Sequence, residues 1–198
     1  MPDLQIAKAC EWFQADIGKE DQEHCCLFRD VFQTRLNSMY NIILKKIKNP
    51  NAAALLAALT GEIGNNSFDH NLGQWRDVPG CWFNYGFEKN YFWVFIADRG
   101  RGIYQSLKAV EPSLKNDQQA IDMAFTKVIS GRFPEKRGNG LKFVSSIMNH
   151  SQPRGLFCIS GSGLLALGQK GEEARNMILP HLSQTKDFGT LSFILWEA

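Results

Sequence analysis

Tyr91-Phe92-Trp93-Val94-Phe95-Ile96-Ala97-Asp98-Arg99-Gly100-Arg101-Gly102-Ile103 is the stretch on which the fold turns. Residues 91–97 form an unbroken apolar run rich in aromatic and β-branched side chains, the pattern of a buried strand. A carboxylate and two glycines follow at once, where that strand passes into a loop. Asp98 in such a place can accept a hydrogen bond from the exocyclic amino group of adenine, whereas guanine presents a carbonyl there and sets acceptor against acceptor. Gly100 and Gly102 carry no Cβ to hold the backbone away from a flat base. Asp and Gly after a strand are also ordinary turn residues, so the weight of the motif depends on its neighbours.

Working outward, a second strand-like run at 81–85 precedes a turn around Gly86 and Asn90, which predicts a hairpin. Before it lie a loop at 71–80 and a helix running from Ala52 to Phe68, weakened by Gly61 and Gly64. From Cys25 to Lys48 the apolar residues recur at three and four, an amphipathic helix stopped by Asn49-Pro50-Asn51. Downstream, 104–137 is more polar, with a helix start at Glu111-Pro112-Ser113. Gly138-Asn139-Gly140 then opens a helix from Leu141 to Met148, and strand candidates follow at 155–160, 163–167, 176–182 and 190–196. Helices, then strands, one helix and more strands predict an α+β fold, a two-layer α/β sandwich with a mostly antiparallel sheet and helices on one face. The pattern divides the chain into an N-terminal helical segment, 1–49, packed on or pairing beside the core, and a main domain, 50–198. The helix at 25–48 either packs on the sheet or pairs with a second subunit.

With 198 residues and 44% hydrophobic content, the chain is sized for one well-buried domain. Lys and Arg total 22 against 20 for Asp and Glu, without a long run of one sign, so no nucleic-acid footprint is expected and any anion binding must be local. No apolar stretch approaches the length of a bilayer span and the first residues do not read as a secretion signal, which predicts a soluble, cytoplasmic protein. The five cysteines have no C-x-x-C spacing, arguing against a disulfide framework and a zinc site.

Two further groups of residues bear on chemistry. Glu62, Asn66 and Asp69, at intervals of four and three, share one side of the second helix. Asn66 offers a neutral amide oxygen suited to a magnesium ion, with Asn65 as a competitor, and Glu62 is placed to deprotonate an attacking water or hydroxyl. A solvated polar stripe would look the same. Gly138-Asn139-Gly140-Leu141 opens a helix just after Arg132, Lys136 and Arg137, and backbone N–H groups at a helix N-terminus with basic residues beside them bind phosphate. An ordinary glycine loop is the competing reading. Other nucleotide signatures fail: Gly163 to Lys170 has Gln169 where a P-loop needs Lys, and Gln105 stands where the dinucleotide fingerprint needs its third glycine.

The order of these parts is more specific than any one of them. Glu-x-x-x-Asn on a helix, Asp-x-Gly-x-Gly after a strand, a polar segment, Gly-x-Gly-Leu opening a helix, and Gly189-Thr190 entering the last strand together resemble the GHKL superfamily of gyrase, ATP-driven chaperone, histidine kinase and mismatch-repair ATPases. The resemblance covers roughly residues 50 to 196. It implies the Bergerat ATP-binding fold, ATP or ADP as ligand and Mg2+ as cofactor. It implies Glu62 as catalytic base, Asn66 as metal ligand and Asp98 as reader of adenine. Gly100 and Gly102 would line the base, Ile103 would also belong to the nucleotide site, Gly138, Gly140 and Leu141 would meet the phosphates with Arg132 and Arg137 nearby, and Thr190 would support adenine through water. Asp69 matches an acidic position of the gyrase-like version, and 103–137 would be an ATP lid. No histidine has the context of a phosphoacceptor: His24 is followed by Cys25-Cys26, and His70, His150 and His181 have no such context, so autokinase activity on a resident histidine is not expected. The expected activity is a stand-alone magnesium-dependent ATPase or serine/threonine-type protein kinase of bacterial signalling, acting on a protein partner or phosphoacceptor. The alternative is a non-catalytic module in which ATP gates a protein interaction.

Overall fold

The structure, a computed structural model, describes residues 2–47, 49–127, 140–150, 152–183 and 186–197. In chain order these form α1 (Pro2–Gln14), β1 (Cys25–Cys26), α2 (Arg29–Ile47), α3 (Pro50–Asp69), β2 (Cys81–Glu88) and β3 (Tyr91–Asp98). There follow α4 (Gly102–Lys108), α5 (Asp117–Thr126), α6 (Gly140–Met148), β4 (Arg154–Ser160), β5 (Gly163–Leu167), α7 (Gly171–Ile178), a 3-10 turn (Leu179–His181) and β6 (Thr190–Glu197). The strands make one six-stranded antiparallel sheet in the order β1-β2-β3-β6-β4-β5, and the α+β class expected from the sequence is what the chain adopts. No helix among the described residues is long and apolar enough to cross a membrane.

The unbroken apolar run of β3 explains how the layers are built. Alternate residues of a strand face opposite sides. Phe92, Val94 and Ile96 therefore enter a core with α2, α3, α5 and α6, while Trp93, Phe95 and Ala97 enter another with α1 and α7. The helical layer on the first face is the one the sequence predicts. The second face is also covered, because a central strand with no polar alternation leaves apolar surface on both sides that needs burial.

Helix α3 positions the candidate site, and its two glycines have a packing reason. A Cβ on Gly64 would collide with the ring of Phe32, and one on Gly61 would come within 3.2 Å of Leu36 Cδ2. Both partners belong to α2, so the glycines let two helices approach closely, and the weak helix propensity of glycine is offset by that packing. Asn49 caps α3 by accepting the Ala52 N–H at 3.1 Å, with Pro50 in the first turn.

Several boundaries differ from the sequence reading. The segment 25–48 is not one helix: Cys25 and Cys26 pair with Trp82 and Cys81 as an edge strand before α2 begins. Helix α5 starts after Asn116, whose side chain accepts the Gln119 N–H, rather than at Glu111-Pro112-Ser113. The stretch 176–182, read as a strand, is the end of α7 and the 3-10 turn. A short apolar run does not by itself separate helix from strand. Here burial of Ala174 and Ile178, four apart, selects the helical period. The aromatic residues of the hairpin are mostly core, with Trp82, Phe83, Phe92, Trp93 and Phe95 buried, and all five cysteines are free and buried.

Candidate functional site

The end of β3 meets the start of β6 and the end of β4 at one level. Asp98 is opposite Thr190, and Thr190 is opposite Ser160. Residues opposite one another on adjacent strands project to the same face. That face is the one covered by α3, since Ile96, Ile194 and Cys158 of the same parity lie in its core.

Helix α3 passes directly over this row. Ser67 Oγ donates to Asp98 Oδ2 at 3.1 Å, Asn71 Nδ2 donates to Oδ1 at 3.1 Å, and the Gly100 N–H donates to Oδ1 at 2.9 Å. The Thr190 backbone N–H adds a further donor. Burial pushes the Asp98 carboxyl up to about 6, against the opposing pull of these donors. A carboxylate offers about four acceptor positions, so an incoming amino group would compete with the side-chain donors Ser67 and Asn71.

The glycines of the motif have packing and backbone roles of their own. A Cβ on Gly100 would collide with the Asn71 carboxamide, which spends both amide hydrogens on Ser67 O and Asp98 and accepts the Arg101 N–H at 3.2 Å. The space above Gly100 thus belongs to Asn71. Gly102 has φ +74°, in the left-handed region, where a side chain is strained. From there the Ile103 N–H reaches Ser160 Oγ at 2.9 Å.

Glu62 lies on the exposed side of α3 and abuts the first turn of α6: a Cβ on Gly140 would collide with Glu62 Oε2. Its carboxylate makes no hydrogen bond among the described residues. Asn65 and Asn66 separate cleanly. Asn65 Oδ1 accepts from Gln33 Nε2 at 2.9 Å, whereas the half-buried carboxamide of Asn66 has no hydrogen-bond partner among the described residues. Asp69 is in an ion pair with Arg29, whose guanidinium also lies over the Phe68 ring at 5.8 Å. Leu141 packs against the α3-side core. The expectations for Arg132, Arg137 and Gly138, and for the lid beyond residue 127, fall outside the described residues.

Arg99, inside the motif, carries no functional signal in the sequence, yet it anchors the motif. Its side chain is fully buried. Nε and Nη2 each lie 2.7 Å from a carboxylate oxygen of Asp77, while Nη1 and Nη2 donate to the carbonyls of Trp12, Phe13 and Ala15 at 2.9 Å. A cation at the C-terminal end of α1 satisfies carbonyls that have no partner within the helix. The guanidinium holds the Asp77 carboxyl well below the usual carboxylate range. At the end of α3, burial and then the charge of Arg101 lower the pKa of His70.

Ser67, Asn71 and Ser160 carry no such signal in the sequence either. Ser67 follows Asn66 directly and Asn71 lies four residues after Ser67, just past the end of α3, and both side chains reach Asp98. Ser160 could be found only once the register of β4 on β6 was known. A comparison with protein-family models finds none that matches the chain, and a comparison with curated proteins finds no match.

Proposed function

We propose that this chain is an ATP-binding domain of the GHKL type that acts as a magnesium-dependent ATPase or a serine/threonine-type protein kinase. The observation that carries the reading is the convergence of parts far apart in sequence: Asp98 and Thr190 are directly opposed under α3, and Glu62 of that same helix meets Gly140 at the start of α6. Adenine binds with its amino group toward Asp98 and the phosphates toward Glu62 and α6. The carboxamide of Asn66, unpartnered among the described residues, fits a magnesium ion as one neutral oxygen ligand, and the ion supplies charge neutralisation of the phosphates. Glu62 takes the proton of the attacking water or hydroxyl as that oxygen bonds to the γ-phosphorus and the bond to the bridging oxygen breaks, ADP leaving with the electron pair.

Calorimetric titration of the protein with Mg-ATP and with Mg-GTP tests the reading. ATP binding with clear preference over GTP is the expected result, and equal affinity for the two overturns it.

A further inference from the structure

Ser160 Oγ accepts the Ile103 N–H at 2.9 Å, donates to the Gly189 carbonyl at 3.1 Å and stands 3.1 Å from Thr190 Oγ1. Ser160 is 2% exposed, so the three protein groups account for its surroundings. A hydroxyl has one proton and two lone pairs. The Ile103 N–H can only donate and the Gly189 carbonyl can only accept, so the Ser160 proton goes to the carbonyl and one lone pair goes to the amide. The remaining lone pair is available to the only partner left, and Thr190 therefore donates to it. Thr190 has then committed its proton inward and offers lone pairs alone on its other side. A few ångströms along the same row stands the Asp98 carboxylate, also an acceptor.

The glycines around this junction keep it closed. Gly102 and Gly189 both have φ +74°, and a Cβ on Gly102 would come 3.1 Å from Ser160 Oγ and 3.3 Å from Gly189 O. The Gly189 N–H donates to Gly100 O at 2.6 Å, joining the β6 entry to the loop after β3.

We propose that Ser160 is a specificity-determining positioning residue: by accepting the Thr190 proton it makes the strand-end row a pair of acceptors that selects 6-aminopurine nucleotides over 6-oxopurine nucleotides. The inference rests on the nucleotide reading of this site. A 6-amino group donates to both acceptors; a 6-carbonyl faces two acceptors and leaves a buried polar group without a partner. Without the Ser160 hydroxyl, the Thr190 proton can rotate outward and donate to the carbonyl.

The test compares ATP and inosine triphosphate, which differ at position 6, by calorimetry on wild type, Ser160→Ala and Ser160→Cys. Cysteine keeps an atom at the γ position, slightly larger than the hydroxyl and a much weaker hydrogen-bonding group, so it serves if alanine loosens the fold. The expected result is a wild type that prefers ATP and variants whose ATP-to-inosine-triphosphate affinity ratio falls about tenfold, the loss of roughly one hydrogen bond. A general loss of packing would weaken both nucleotides and leave the ratio alone. A wild type that prefers ATP, with the ratio unchanged in both variants, overturns the inference while the ATP reading stands. A wild type that binds neither nucleotide overturns both.

Discussion

Asn71 Nδ2 donates to Asp98 Oδ1 across 3.1 Å, and both side chains are buried at the junction of α3 with β3. The bond links a helix-end amide to the carboxylate proposed to read the base, and it is one of the donors that favour ionisation of Asp98 against its burial. Four donors favour the charged form, yet burial prevails and the carboxyl rises to about 6.

That value sits above the ordinary 3.8, so the folded chain holds a proton that the unfolded chain releases between the two. The contribution of this group to stability is complete below about 4 and is lost as pH rises through about 6. Nucleotide affinity runs the opposite way, because only the carboxylate accepts both from its donors and from an amino group. Calorimetry between pH 5 and 8 is expected to show ATP affinity level above about 6.5 and falling toward tenfold per pH unit well below 6. An affinity flat across the range would remove the Asp98 carboxylate from recognition.

The contact of Gly64 with Phe32 predicts a stability effect independent of any ligand. Gly64→Ala raises helix propensity but drives a methyl into the Phe32 ring, and overpacking of this kind costs about 1–3 kcal/mol. Urea denaturation is expected to show that loss, with partial recovery in Gly64→Ala combined with Phe32→Leu, since the two substitutions act on one contact. A stabilised Gly64→Ala would mean that the helices have room to separate.

What the sequence discloses and what it conceals follow from how local each feature is. The β3 run, the Asp98 motif and the Glu62–Asn66 spacing are short patterns, and each lies on the element expected of it. Ser67, Asn71 and Ser160 become meaningful only through the rotation of α3 over the sheet and the register of β4 on β6, which join residues 27 to 31 positions apart. Gly100 looked like room for a base and is room for Asn71. Met177-Ile178-Leu179 looked like a strand because three apolar residues fit either period.

The Arg99–Asp77 pair predicts an acid sensitivity of folding that needs no nucleotide. Asp77→Ala leaves a fully buried guanidinium without its counter-charge, a change expected to cost about 3 kcal/mol, the low end for a buried pair because Asp77 is partly exposed. The folded pKa of Asp77 lies below its unfolded value, so its stabilisation is present above about 4 and is lost as pH falls. Urea titrations from pH 7 to 3 should therefore show the gap between wild type and Asp77→Ala closing as pH falls. A gap that is constant over the range would assign the effect to packing alone.

Glu62 separates the two uses of a bound nucleotide. Its carboxylate is exposed, beside Gly140, and is one helical turn from Asn66, where a general base belongs if the γ-phosphate lies at the start of α6. Removing a general base typically slows chemistry by about 10²-fold or more without touching groups that hold the base and sugar. Glu62→Ala is accordingly expected to keep nearly the wild-type ATP affinity in calorimetry while phosphate release, or labelling of a Ser or Thr acceptor in cell extract by labelled ATP, falls by that factor. Loss of both together would show that Glu62 holds the nucleotide rather than activating a nucleophile. Unchanged phosphate release would take it out of the mechanism, and Asp98 and Thr190 would then serve a domain that binds ATP to gate a protein contact.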